Sequence, residues 1–76
     1  MSSFFEIIAG DQLVLVDFFA TWCGPCKMIS PVLKDVKDSL GDQIKILKID
    51  VDKNQRLAAS INVKGVPTLV LYKNSN

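Results

Sequence analysis

From Leu13 to Phe19 the chain reads LVLVDFF, a run in which Asp17 is the one polar residue. A strand that is apolar on both faces is stable only where both faces are covered, so this run belongs inside a sheet with other elements above and below it. That requirement organises the rest of the sequence. After it, Met28, Ile29, Val32, Leu33, Val36 and Leu40 recur at helical spacing, and Gly41 is a suitable helix stop. Pro31 falls within this helix, where it removes one backbone hydrogen bond and is expected to kink it. Ile44 to Val51 (IKILKIDV) reads as a second buried strand. Asp52 or Asn54 then caps a short helix carrying Leu57, Ala58 and Ile61. Residues 62–67 read as a loop, Thr68 to Lys73 (TLVLYK) as a third strand, and the last three residues as a turn. Ahead of the first strand, residues 3–9 suit a short helix with Phe4, Ile7 and Ile8 on one side. Strands alternating with helices imply an α/β fold, the first two strands parallel and the helices covering the sheet. The pattern leaves the direction of the third strand open.

With 76 residues the chain is expected to form a single domain, residues 1–76. A domain of this size buries only about 60–65% of the surface its unfolded chain exposes, so its stability margin is thin. Nine basic residues against eight acidic ones are scattered along the chain rather than gathered on one face. Nucleic-acid binding draws on several simultaneous phosphate contacts, so a nucleic acid is not an expected partner. Nor is a membrane, because no apolar run approaches the ~20 residues needed to span one. Residues 1–10 contain no Lys or Arg, and Glu6 interrupts their apolar stretch, unlike a secretory signal; the expected location is the cytoplasm.

Two cysteines and no histidine limit the chemistry. A Cys-His nucleophile pair and a two-His zinc site are both excluded, and two thiolates fall short of a four-ligand structural zinc site. No bound metal or cofactor is therefore expected. What remains is Trp22-Cys23-Gly24-Pro25-Cys26, placed where the first strand gives way to the long helix. A bare C-x-x-C also occurs in metal carriers, so its position matters more than its spelling. A helix starting at about Cys23 puts that sulfur beside unpaired backbone N–H groups at the positive end of the dipole, which lowers the thiol pKa. Proline in the first turn loses no helical hydrogen bond. Cys23 is thus expected to be an exposed nucleophile on a substrate disulfide, with Cys26, one turn deeper, resolving the mixed disulfide. A purely structural crosslink is poorly motivated, since closing so short a loop removes little unfolded-chain entropy.

Asp17 interrupts one apolar strand and Lys48 another. Strand alternation puts Asp17 on a face with Leu13, Leu15 and Phe19, and Lys48 on a face with Ile44 and Ile46. Buried charges are costly unless paired, which suggests that the two approach each other beneath the cysteines. Burial would raise the Asp17 pKa and Lys48 would pull it back, leaving a carboxylate able to take the Cys26 proton directly or through water. A solvent-exposed pair at the strand ends is the simpler alternative. Lys64-Gly65-Val66-Pro67-Thr68 reads from composition only as a turn.

Taken together, VDFFATWCGPCK, Pro31, KIDVDKN and KGVPTLVLYKN resemble the thioredoxin family in order and spacing, from about Phe4 to Asn74. The resemblance implies a thioredoxin-like central sheet flanked by helices and a protein-disulfide reductase in which Cys23 attacks and Cys26 resolves. It implies that Asp17 and Lys48 are the buried pair. It also implies that Val66-Pro67 is cis and packs on the disulfide, and that Trp22, Gly24, Pro25, Val66 and Pro67 contact substrate. Implied partners are disulfide-containing proteins and an NADPH-dependent, flavin-containing thioredoxin reductase that carries its own cofactors. Phe19 stands where many bacterial relatives have a second Trp. The family's usual first strand is not evident, and relatives continue past Tyr72 into another strand and a C-terminal helix. A C-terminally truncated version of the fold is therefore expected, with the third strand as an open edge, self-association through it and reduced activity. A disulfide isomerase or oxidase, a metal or iron–sulfur site shared between two chains, and a non-catalytic binding module are the competing readings.

Overall fold

The computed structural model describes residues 4–76. Helix α1 (Phe4–Ile8) leads into strand β1 (Leu13–Phe19), then helix α2 (Gly24–Leu40), a 3-10 turn (Gly41–Gln43), strand β2 (Ile44–Asp50), helix α3 (Gln55–Ser60) and strand β3 (Thr68–Tyr72). Each expected element is present within a residue or two at its ends; Ser3, expected to open the first helix, lies outside the described residues. Helix α2 runs through Pro31 without a break, and Gly41 ends it with φ of 54°, a conformation that glycine adopts without Cβ conflict.

The three strands are ordered β2-β1-β3, so the LVLVDFF run is the central strand. β2 runs parallel to it, as the intervening α2 requires, and β3 runs antiparallel. Alternation divides β1 between two layers. Val14, Val16 and Phe18 are buried on one face with Phe4 and Ile8 of α1, joined by Leu47 and Ile49 from β2, Val70 and Tyr72 from β3, and Leu57 and Ile61 from the α3 region. Phe4 meets Tyr72 edge-on with centroids 5.7 Å apart, closing this layer across the sheet.

The opposite face carries Leu13, Leu15, Asp17 and Phe19 and lies on the side of α2. Leu33 of α2 is buried there, while Met28 and Val32 are exposed. Because α2 sits against β2, the β3 half of this face is left open: Leu71, opposite Leu15, and Leu69, opposite Asp17, are 53% and 44% exposed.

Candidate active site

Cys23 is the N-cap of α2, with extended backbone (φ −85°, ψ 108°), and Pro25 follows in the first turn. The two cysteines form a disulfide with Cα atoms 5.3 Å apart. The Cys26 backbone N–H donates to Cys23 Sγ at 3.1 Å, so the first sulfur takes the place of a capping oxygen. This bond distinguishes the two cysteines. Exposure does not: Cys23 is 3% exposed and Cys26 5%, so Cys23 is more enclosed than the sequence suggests. Ala20 is buried with them, and Phe19, Val51 and Val66 pack against this cluster.

The peptide bond Val66-Pro67 is cis, and Val66 packs on the disulfide cluster. Thr68 Oγ1 donates to the Gly65 carbonyl at 2.6 Å, tying the two sides of this turn together. Facing it, Trp22 is 71% exposed, yet its indole is oriented by donation from Nε1 to Asp52 Oδ2 at 2.9 Å. Asp52 is fixed in turn: its backbone N–H donates to Asp50 Oδ1 at 2.9 Å, and its carbonyl accepts from Gln55 Nε2 at 3.2 Å. Between the indole and the cis turn lies a shallow cavity of about 180 Å³, floored by Val51 and Val63 and edged by Lys64. Gly24 and Pro25 are exposed beside the disulfide. Asp52, which the sequence marks only as a candidate helix cap, holds the Trp22 indole in place. Its distance from Trp22 in sequence leaves no local signal of the contact.

Asp17 and Lys48 are register partners on adjacent strands, but their environments differ. Asp17 is 2% exposed and its Oδ1 has no hydrogen-bond partner. Burial pushes its carboxyl above the ordinary value, and the nearby Lys48 charge offsets part of the rise. Lys48 is exposed, and no ion pair joins it to Asp17; its Nζ reaches across to Ser30 Oγ on α2 at 3.4 Å. The expected buried ion pair is therefore a buried acid with an exposed cation nearby. A lysine at a sheet edge can bend its long stem toward solvent, whereas an aspartate on the central strand cannot. Beside Lys48 a cavity of about 210 Å³, lined also by Phe19, Ala20, Cys26, Lys27 and Ser30, opens onto the inner cysteine.

Among the described residues no group of three or more His, Cys, Asp or Glu side chains could hold a metal ion, and no helix is long and apolar enough to cross a membrane.

Comparison with known proteins agrees with this geometry. The thioredoxin family model matches residues 1–76. Thioredoxin from Bacillus subtilis is 49% identical over 69 residues, covering 91% of this chain and 66% of that protein. Thioredoxin from Malassezia sympodialis is 43% identical over 72 residues, covering 93% and 69%. Among solved structures, oxidised mitochondrial thioredoxin 3 from Saccharomyces cerevisiae superposes with a TM-score of 0.87 at 37% identity, over 96% of this chain and 68% of that one. The chain thus spans about two thirds of the length of the relatives it matches. A match along its entire length, joined to these identities, makes the chain a member of the thioredoxin family, a family of thiol–disulfide oxidoreductases.

Proposed function

We propose that this chain acts as a protein-disulfide reductase, cycling Cys23 and Cys26 between dithiol and disulfide. The observation that carries the reading is the hydrogen bond from the Cys26 N–H to Cys23 Sγ at the head of α2. A donor and a helix dipole aimed at that sulfur stabilise negative charge on it after reduction, which makes Cys23 the better nucleophile of the two. In the reductive direction the Cys23 thiolate attacks a substrate disulfide and displaces one substrate thiolate. Cys26 then gives up its proton and attacks Cys23 Sγ, releasing the second substrate thiolate and restoring the Cys23–Cys26 disulfide. Two electrons pass to the substrate.

Asp17 is the acceptor we assign to the Cys26 proton, supported by its burial on β1, the strand that leads into the cysteine-bearing helix, and by its unpartnered Oδ1. Lys48 modulates that carboxylate through its charge. Trp22, Gly24, Pro25, Val66 and Pro67 form the substrate surface in this reading, with the shallow apolar cavity beside Trp22 accepting a side chain of an extended substrate segment. Partners would be disulfide-containing proteins and, as electron source, an NADPH-dependent flavoprotein reductase. The cytoplasm is the proposed location. Self-association through the outer edge of β3 is supported by the exposure of Leu69 and Leu71.

The direct test is a Cys26→Ser variant incubated with a disulfide-containing protein. It is expected to accumulate a mixed disulfide through Cys23, visible as a mass adduct that dithiothreitol removes, while Cys23→Ser accumulates none. An equal yield of adduct from both variants would remove the assignment of unequal roles, and no adduct from either would remove the reductase reading.

A further inference from the structure

Ser30 sits in α2 one turn beyond Cys26, immediately before Pro31. Serine in a helix commonly turns its hydroxyl back onto its own helix, as Ser60 does by donating to the Leu57 carbonyl at 2.8 Å. Ser30 instead presents Oγ to Lys48 Nζ at 3.4 Å, bridging α2 and β2. The Lys48 ammonium therefore rests on a neutral acceptor, although a buried carboxyl oxygen without a partner lies on the residue opposite it in the sheet. We propose that Ser30 is a positioning residue, whose hydroxyl holds the Lys48 ammonium on α2 and off the Asp17 carboxyl.

Among the charged groups around this position, Lys48 is the one whose charge acts on the Asp17 carboxyl. On α2, Lys34, Lys37 and Asp38 line the groove that Ser30 and Lys48 share, and Lys27 lies on the cysteine side. Lys37 is occupied, donating to the Gly41 and Ile44 carbonyls at 2.8 and 2.6 Å. On β2, Asp50 uses Oδ1 to accept the Asp52 N–H. On β3 the residue opposite Asp17 is Leu69, which carries no charge. Lys48 is thus the cation whose placement sets how strongly Asp17 holds its proton. A charge kept at a distance leaves the carboxyl basic enough to take a thiol proton, whereas a closed ion pair would make it a weaker base.

This consequence for catalysis rests on the reading of Asp17 as the Cys26 proton acceptor, but the placement itself can be measured without turnover. The Asp17 side-chain carboxyl would be titrated by carbon-detected NMR in the oxidised protein. Alanine is well tolerated in helices, so Ser30→Ala retains the fold. Freed from Ser30, Lys48 closes on Asp17, and the midpoint is expected to fall by about one pH unit. Ser30→Thr, which keeps the hydroxyl, is expected to hold the parent midpoint. In a Lys48→Met background Ser30→Ala is expected to move nothing. An unchanged or raised midpoint in Ser30→Ala, or the same fall in the Lys48→Met background, would overturn the proposal. A fall that leaves the pH dependence of Cys26 attack unmoved would support the Ser30 role and remove the catalytic role of Asp17.

Discussion

At Asp17 the folded chain holds a proton more tightly than the unfolded chain does, because burial disfavours the charged carboxylate more than Lys48 favours it. Its contribution to stability is therefore complete below the ordinary value of 3.8 and is lost as the pH rises through the raised native value. Where the group is ionised, its buried charge, with Oδ1 unpartnered, opposes folding. Asp17→Asn is expected to be more stable than the parent at pH 7, because the amide has no charge to bury. The advantage should shrink as the pH is lowered toward 3.8, as followed by urea unfolding at a series of pH values. An advantage that does not change with pH would contradict this account. The same variant should slow the resolving attack by Cys26, so stability and chemistry move in opposite directions. The sequence made part of this visible, since Asp17 is the one charge in its apolar run and Lys48 shares a strand face with Ile44 and Ile46. It did not reveal that the lysine leaves the pair. Strand alternation fixes the face a residue occupies, but the end of a long side chain is placed by what lies across from it, here Ser30 on another element.

The site is assembled from the ends of elements. β1 delivers Ala20 and Cys23 to the start of α2, the turn after β2 supplies Asp52, and the turn before β3 supplies Val66. The first of these was legible locally: an apolar run, a C-x-x-C with proline in the first turn and a helical repeat ending at Gly41 each declare themselves within a few residues. The direction of β3 was not, because it depends on the path of residues 62–67, and the cis bond before Pro67 followed only from the family resemblance. Contacts between the turns were equally hidden. The Trp22–Asp52 bond joins residues 30 apart in sequence, and it tethers an indole that is otherwise mostly in solvent. Asp52→Ala should change stability by less than about 0.5 kcal/mol, since water can satisfy the freed N–H. It should nevertheless loosen the wall of the proposed substrate surface. Trp22 is the only tryptophan, so time-resolved fluorescence anisotropy reads its motion alone. Faster indole reorientation together with a lower kcat/KM toward a protein disulfide is expected; unchanged anisotropy would show that the bond does not hold the ring.

For the molecule as a whole, the sheet order β2-β1-β3 leaves β3 with an outer edge that no strand covers among the described residues. α2 shields the β2 half of its face, and the β3 half presents Leu69 and Leu71 to solvent. An uncovered edge offers unpaired backbone N–H and C=O groups, and the leucines beside it add an apolar surface that water disfavours. Two such chains joined at β3 would satisfy the edge groups and bury the leucines together. In sedimentation velocity this 76-residue chain is therefore expected to show an average mass that rises with concentration. Leu71→Lys should return it to the monomer, because a lysine at this position sets like charges against each other across the contact. Leu71 is already 53% exposed, so the substitution should leave the monomer's own fold intact, which circular dichroism would check. A parent chain that stays monomeric at every concentration would remove the association. An associating parent whose mass Leu71→Lys does not reduce would place the contact elsewhere on the surface.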